Sequence, residues 1–168
     1  MRRDPLELEA CIAALDAAVG NAEGGLPEAI FRFVSRVTPL VNVDLLIQEE
    51  HRTLLTWRDD EFYGPGWHLP GGIIRFKEPA AHRVRACARE ELAAEVSFEP
   101  EPLLVWEGIG PHQTRGHHVS LLYRCQLSTR PDEGRRAAGL TPARGQWHWH
   151  DRCPPNLIPE QTHYACFL

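Results

Sequence analysis

A pair of glycines followed at fixed spacings by three carboxylates is the sequence feature that most constrains this chain. Gly71 and Gly72 predict a turn that feeds a helix, and Glu78, Glu90 and Glu91 follow. Residues three or four positions apart share one face of a helix, so positions 87, 90 and 91 form a set. Carboxylate oxygens suit a hard cation such as Mg²⁺, which also holds substrate phosphates. Each piece alone is typical of an ordinary turn or a solvated helix face, but the combined spacing indicates a metal site.

The spacing resembles the Nudix box, the metal-binding signature of hydrolases that cleave nucleoside diphosphates linked to another group. From Gly72, five residues lead to Glu78 and a further seven lead to positions 86 and 87, after which Glu90 and Glu91 stand in register. The resemblance implies that Mg²⁺ (or Mn²⁺) is bound by Glu90, Glu91 and a backbone carbonyl of Gly71 or Gly72, with Glu78 in support of the same site.

Three residues of the signature are replaced. Ala86 and Cys87 stand where the family has Arg-Glu, and Ala93 stands where it has Gly. A thiolate is a soft ligand and a poor partner for Mg²⁺, so we expect fewer metal ions or weaker binding. A small helix-packing residue is the simpler interpretation of the cysteine. The candidates to replace the missing arginine are Arg83, Arg85 and Arg89.

The segments before the box extend the resemblance. Residues 38–47 are apolar and β-branched, and residues 54–58 form a similar run that ends in Arg58, so both are predicted strands. This order is similar to the Nudix subgroup that includes GDP-mannose mannosyl hydrolase, which commonly departs from the Arg-Glu of the box. The resemblance implies that Asp44 and Arg58 bind substrate and take part in catalysis by handling the leaving diphosphate and the sugar.

The general base of that subgroup has no counterpart at the matching position. The mannosyl hydrolases carry a Glu-His pair just before the last strand, whereas residues 139–146 contain neither residue type. His148 and His150 follow on the predicted strand 146–150, where alternation places them on one face. A histidine can act as a base near neutral pH, which makes His148 a catalytic candidate. A surface histidine that only forms hydrogen bonds is the alternative.

Composition limits the remaining possibilities. A chain of 168 residues with 43% hydrophobic residues can fill one core. A net charge of −5 argues against binding nucleic acid through its phosphates. No apolar run is long enough to span a membrane, and the basic N-terminus lacks the apolar core of a signal peptide. Five cysteines without a Cys-x-x-Cys motif suggest reduced thiols. These features favour a cytoplasmic protein without membrane or nucleic-acid partners.

The predicted elements divide the chain into two parts. Helices over roughly 5–20 and 26–37 form an N-terminal extension, residues 1–37, which is expected to pack as an accessory element, to cap the sheet or to build a homodimer. The resemblance implies that residues 38–168 form a Nudix domain, an α/β fold with a mixed sheet sandwiched between helices. A strand is expected within 96–105, a loop from 106, a strand over 118–127 and a long loop over 129–146.

Two functions from different classes follow. The first is a Nudix hydrolase that cleaves a nucleoside diphosphate derivative, either a nucleotide sugar or a nucleoside diphosphate, with Mg²⁺. The alternative is a catalytically weakened Nudix domain that binds a nucleotide-like small molecule as a sensor, which the replaced box residues Ala86, Cys87 and Ala93 would favour. The number of hard oxygen ligands distinguishes the two.

Overall fold

A mixed sheet of eight strands dominates the part of the chain that the computed structural model describes, residues 5–112, 114–139 and 141–168. The helices are α1 (Pro5–Val19), α2 (Glu28–Val37) and α3 (Ala80–Leu92). The strands are β1 (Leu40–Glu49), β2 (Arg52–Arg58), β3 (Gly66–His68), β4 (Gly71–Ile73), β5 (Val96–Phe98), β6 (Leu104–Ile109), β7 (His117–Leu127) and β8 (Trp147–His150). Short 3₁₀ turns lie at Ala22–Gly24 and Glu133–Arg135, and a longer 3₁₀ helix, Pro159–Phe167, follows β8.

The sheet opens between β1 and β2, which are consecutive in the chain. Strand β1 runs parallel to β7 over Leu40–Ile47, whereas the other pairings are antiparallel. β1 and β2 pair only at their turn, where Gln48 faces Thr53, and then diverge. Short strand β4 takes the free edge of β1, and β2 lies between β3 and β8. The divergence leaves room for a cleft between the two strands.

Both faces of the sheet are covered. On one face the alternating residues Val43, Leu45 and Ile47 of β1 pack against Val84 and Leu92 of α3. On the other face Leu46, Leu55 and Leu122 pack with Tyr164 of the C-terminal 3₁₀ helix. Each such side chain stabilises the fold by about 1.5–3 kcal/mol when fully buried. The predicted fold class, a mixed sheet flanked by helices, is confirmed.

Helix α3 ends in a conformation that explains one position of the box. Ala93 follows the helix with φ 52°, in the left-handed region, and its N–H donates to the carbonyl of Arg89 at 3.0 Å. This region suits glycine best because it has no Cβ. A glycine is therefore the natural residue here, and alanine adopts the same cap at a conformational cost.

Two local predictions differ from the structure. Gly71 and Gly72 do not form an isolated turn, because they pair with Asp44 and Val43 as part of β4, and the chain bends only after Ile73. The loop expected from residue 106 begins later, since β6 continues to Ile109 through its pairing with β7. In both cases the backbone hydrogen bonds are made to a neighbouring strand, β1 for the two glycines and β7 for β6, and the local sequence does not reveal that pairing.

The two N-terminal helices differ in how they pack. α1 contains no buried residue. α2 packs through Ser35, which is buried, and through an ion pair between Arg32 and Glu61. The homodimer stays a prediction.

No helix among the residues described is long and apolar enough to cross a membrane.

Candidate active site

The cleft between β1 and β2 has a volume of about 380 Å³. Five residues predicted for the site line it: Asp44, Arg58, Gly71, Gly72 and Glu91. They come from β1, β2, β4 and the last turn of α3, so four separate elements converge there. Three further predicted residues, Glu78, Glu90 and His148, do not line it.

Glu91 is held at the inner end of the cleft by two hydrogen bonds. The N–H of Gly71 donates to Oε1 at 2.7 Å and the hydroxyl of Thr56 donates to Oε2 at 2.8 Å. The side chain is only 23% exposed. Burial raises the pKa of this carboxyl to about 7, although both hydrogen bonds act to lower it. Glu91 therefore changes its charge near neutral pH.

The two glycines permit the close approach of backbone that this arrangement needs. A Cβ on Gly71 would lie 2.4 Å from the carbonyl oxygen of Val43 and 2.8 Å from Oδ1 of Asp44. A Cβ on Gly72 would lie 2.9 Å from Sγ of Cys87 on α3. A side chain at either position would push β4 away from β1 or from the helix.

Asp44 is the second buried carboxyl of the cleft. It is 6% exposed. The hydroxyl of Tyr164 donates to Oδ2 at 2.8 Å, and the amide of Gln161 donates to Oδ1 at 3.2 Å. Burial raises the pKa of Asp44 to about 6, against the effect of the Tyr164 hydrogen bond. Two carboxyls with pKa values shifted towards neutrality in one cleft are a feature of functional sites.

Arg58 supplies positive charge and is fixed in place. Its Nε donates to Oδ2 of Asp60 at 2.7 Å, and its guanidinium lies 4.5 Å from the ring centroid of Tyr63. Asp60 also accepts hydrogen bonds from the N–H groups of Phe62 and Tyr63. Although burial raises the pKa of Asp60, these bonds and Arg58 lower it below its usual value. Asp60 is therefore a stable anchor for the guanidinium.

His68 also lines the cleft, although no sequence motif marks it. Its Nε2 lies 3.0 Å from the hydroxyl oxygen of Thr56. The Thr56 hydroxyl has one hydrogen, which it donates to Glu91, so towards His68 it can only accept a hydrogen bond. The ring proton of His68 is therefore on Nε2. Burial, reinforced by Arg58, lowers the pKa of His68 to about 3. The neutral ring therefore orients Thr56 towards Glu91.

Glu78 and Glu90 meet the same arginine outside the cleft. Glu78 accepts from Nε of Arg83 at 3.2 Å and from the N–H of Arg75 at 2.9 Å. Nη2 of Arg83 also lies 3.5 Å from Glu90, whose side chain is 56% exposed. Arg83, one of the candidates to replace the missing box arginine, thus braces the loop that leads into α3. The metal-ligand roles of the two glutamates stay predictions.

His148 lies on the far side of β2 from the inner carboxyls. Its ring centroid is 6.3 Å from that of Trp67 and 5.3 Å from that of His150. The two histidines share one face of β8, as their alternation predicts. The catalytic role of His148 stays a prediction from sequence.

The donor groups suit one hard cation with few protein ligands. Among the residues described, no group of three or more His, Cys, Asp or Glu side chains is arranged to hold a metal ion. Cys87 is 1% exposed, and burial together with Glu91 raises the pKa of its thiol, so a neutral thiol offers no hard ligand. The hard donors near Gly71 are the Glu91 carboxylate and backbone carbonyls, and Glu90 precedes Glu91 on α3 but lies outside the cleft. Mg²⁺ commonly accepts one or two carboxylates and completes its shell with waters and substrate phosphates, so these residues fit it.

Other cleft residues come from segments that carry no motif. Tyr63 and Arg115 lie in loops, whereas Glu160, Gln161 and His163 lie in the C-terminal 3₁₀ helix. No local pattern in the sequence marks them, because only the tertiary fold brings them to β1 and β2.

Comparison with known proteins agrees with this geometry. The family model of the NUDIX domain matches residues 38–158. A curated relative, the low-salt glycan biosynthesis protein Agl8 of Haloferax volcanii, is 32% identical over 74 residues, which cover 44% of this chain and 47% of the relative. The match thus spans about half the length of the curated relative.

Solved structures share the fold. A MutT NUDIX hydrolase from Burkholderia pseudomallei is 26% identical, with a TM-score of 0.57, and the match covers 77% of this chain and 94% of that one. A UDP-X diphosphatase is 16% identical, with a TM-score of 0.56, and the match covers 96% of this chain and 78% of that one. Since the family model extends over most of the chain and solved members have the same mixed sheet, the chain belongs to the Nudix hydrolase family.

Proposed function

We propose that the protein hydrolyses a nucleoside diphosphate derivative, with a nucleotide sugar as the first candidate and a free nucleoside diphosphate as the second. The observation that carries the proposal is the position of Glu91. Its carboxyl is fixed by Gly71 and Thr56 in a cleft that also contains Asp44 and Arg58. The cleft thereby combines a carboxyl whose oxygens could bind a hard cation, a second carboxyl and a guanidinium.

The proposal includes a divalent cation, Mg²⁺ or Mn²⁺. Glu91 would bind the cation together with Glu90 and a backbone carbonyl of Gly71 or Gly72. Glu78 would support the same metal site. A cation bound there would neutralise phosphate oxygens and lower the pKa of a bound water. Cys87 removes one carboxylate of the family signature, so we infer weak cation binding in the absence of substrate.

The protein's own groups would orient the substrate. Arg58, anchored by Asp60 and by the ring of Tyr63, can bind phosphate oxygens with a fixed planar fork. Asp44 is ionised above pH 6 and can accept a hydrogen bond or a proton from a hydroxyl or a water in the cleft. The proposed role of His148 as general base rests on the sequence alone.

A nucleotide sugar is placed first for two reasons. Thr38 and Pro39 precede the strand that contains Asp44, and Arg58 ends the next strand. This order resembles the mannosyl hydrolase subgroup. The curated relative is named for glycan biosynthesis, although the match covers only 47% of it.

The second candidate function is a nucleotide-binding module without turnover. Its specific support is Cys87, which is buried against Gly72 and provides no hard oxygen ligand. A binding module needs shape and phosphate contacts but no tightly held cation.

A product-resolved screen tests the proposal. Nucleotide sugars, nucleoside diphosphates and nucleoside triphosphates are incubated with Mg²⁺ or Mn²⁺, with EDTA as the control. Release of free sugar supports attack at carbon, and release of a nucleoside monophosphate supports attack at phosphorus. No turnover by folded protein that still binds nucleotide refutes hydrolysis and favours the binding module.

A further inference from the structure

Arg115 is fixed at the mouth of the cleft by its own backbone. It lies in the loop between β6 and β7 with φ 58°, in the left-handed region that non-glycine residues rarely occupy. Its N–H donates to the carbonyl of Ser35 in α2 at 3.1 Å, and its carbonyl accepts from the hydroxyl of Tyr63 at 3.1 Å. A conformation of this kind is unfavourable for a residue with a side chain and persists only where the surroundings determine it.

The guanidinium of Arg115 is held by aromatic rings rather than by carboxylates. Its Cζ lies 4.1 Å from the ring centroid of Phe62 and 4.9 Å from that of Phe31 in α2. It forms no ion pair with any carboxylate in the described part of the chain. Its Nε is shielded from solvent and has no hydrogen-bond partner among the described residues. Aromatic faces attract and orient a cation, but they offer no hydrogen-bond acceptor to its N–H groups.

Arg58 lies close enough to repel Arg115. Burial lowers the pKa of Arg115, and repulsion by Arg58 lowers it further. Both residues line the cleft, yet of the two only Arg58 is paired with a carboxylate, Asp60. Tyr63, Asp60 and Glu28 favour the charged form of Arg115, but none of them forms an ion pair or hydrogen bond with its guanidinium in the described part of the chain. The donors of the guanidinium, Nε among them, therefore have no protein acceptor there and can bind an anion beside Arg58.

We propose that Arg115 is a second anion-binding residue, which binds the diphosphate of the substrate together with Arg58. It follows that α2, through Ser35 and Phe31, positions a substrate-binding residue although α2 itself does not line the cleft. The ligand class rests on the proposed function, whereas the position of the guanidinium does not.

Calorimetric titration without divalent cations tests this inference directly. The probes are ADP, GDP and UDP, the matching monophosphates and inorganic pyrophosphate. We expect Arg115→Gln to weaken binding of the preferred diphosphate about tenfold or more, as for the loss of a hydrogen bond between charged groups. The preference for diphosphate over monophosphate should shrink, and Arg115→Lys should lie between Gln and wild type.

The matched control is Arg124→Gln, which removes an exposed arginine of β7 that does not line the cleft. It should bind like wild type. Parallel weakening of pyrophosphate and diphosphate assigns Arg115 to the phosphates, whereas weakening of the nucleotide alone would place it at the nucleoside and overturn the inference. Unchanged affinity of Arg115→Gln would overturn it as well.

A second variant covers the case in which Arg115→Gln does not fold. Phe31→Leu keeps the guanidinium but removes one of its two rings, so a several-fold loss of diphosphate affinity is expected, with a melting temperature measured alongside. Unchanged affinity in this variant would show that α2 does not position Arg115 and would refute that part of the inference.

Turnover measured on the same proteins separates the two proposals. Wild-type protein that binds diphosphate but hydrolyses nothing would refute the proposed function and leave the Arg115 result standing. Hydrolysis by wild type with an unchanged KM in Arg115→Gln would refute the inference alone. Failure of wild type to bind any probe would overturn the inference alone, because the proposed hydrolysis requires the divalent cation that the titration omits.

Discussion

Glu91 has to satisfy two opposing requirements. Burial favours its neutral form and raises its pKa to about 7, whereas the proposed binding of a cation needs the carboxylate. The hydrogen bonds from Gly71 and Thr56 favour the charged form but do not compensate for burial. The folded protein without a cation therefore carries a strained charge above neutral pH, which a bound cation would relieve.

Glu91→Gln should abolish turnover and stabilise the protein at high pH. We expect a loss of activity of more than about 100-fold, since a ligand of the proposed cation is removed. The folded pKa of Glu91, about 7, exceeds its ordinary 4.5, so the wild-type carboxylate destabilises the fold increasingly from pH 4.5 to 7. The variant should thus gain up to about 3 kcal/mol relative to wild type over that range.

Urea unfolding at pH 5 and pH 8, together with the hydrolysis assay, measures both effects. Glu99→Gln, at an exposed position outside the cleft, is the control and should leave activity and the pH dependence unchanged. Wild-type turnover by Glu91→Gln would exclude the proposed cation ligand, and a stability difference independent of pH would exclude the strained carboxylate.

The C-terminal 3₁₀ helix, Pro159–Phe167, connects the hydrophobic core with the cleft. Gln161 donates to Asp44 and also accepts from the N–H of Leu69 at 2.7 Å, so one side chain links β1 with the segment before Gly71. Tyr164 is fully buried in the core, on the face of the sheet that carries Leu46, and its hydroxyl donates to Asp44. This element sets the environment of Asp44 although it is remote in sequence.

Tyr164→Phe keeps the packing but removes one donor to Asp44. Since burial raises the pKa of Asp44 and the Tyr164 hydrogen bond counteracts it, the pKa should rise above its present value of about 6. Stability should fall by about 1–2 kcal/mol above pH 7 and by less at pH 5, where Asp44 is protonated in both proteins. If the ionised form is the active one, the acid limb of the pH–rate profile moves to higher pH.

Tyr123→Phe is the matched control, because Tyr123 is also a buried tyrosine of the core but does not contact Asp44. It should leave the acid limb in place. An unchanged acid limb in Tyr164→Phe would show that ionisation of Asp44 does not limit the reaction.

For the molecule as a whole, the sequence predicts the parts that local rules control. The box spacing identifies α3 and the glycine segment that lies beside it in the cleft, and the apolar runs identify β1, β2, β7 and β8. Tyr63, Arg115 and Gln161 could not be predicted, because the pairing of β1 with the distant β7 and the docking of the C-terminal 3₁₀ helix bring them to the site. The consequence of Cys87 also depends on burial, which its neighbours decide.

Acidification acts on the whole protein through two opposing sets of groups. Burial raises the pKa of Asp44 to about 6 and that of Glu91 to about 7, so the folded state binds these protons more tightly than the unfolded state. Burial lowers the pKa of His68 to about 3 and of His150 and His163 to about 4, so the folded state resists these protons. As pH falls from 7 to 4, the carboxyls stabilise the fold and the histidines destabilise it.

The double variant Asp44→Asn/Glu91→Gln should therefore be more sensitive to acid than wild type. It lacks the two carboxyls whose protonation stabilises the fold at low pH, whereas the buried histidines still oppose protonation. Between pH 7 and pH 4 its urea midpoint should fall more steeply, and at pH 7 it should start from the higher value. The surface pair Glu99→Gln/Glu101→Gln serves as control, since both positions are exposed. Parallel curves for the double variant and wild type would mean that the two buried carboxyls do not titrate between these pH values, because the cleft keeps both ionised in the folded protein.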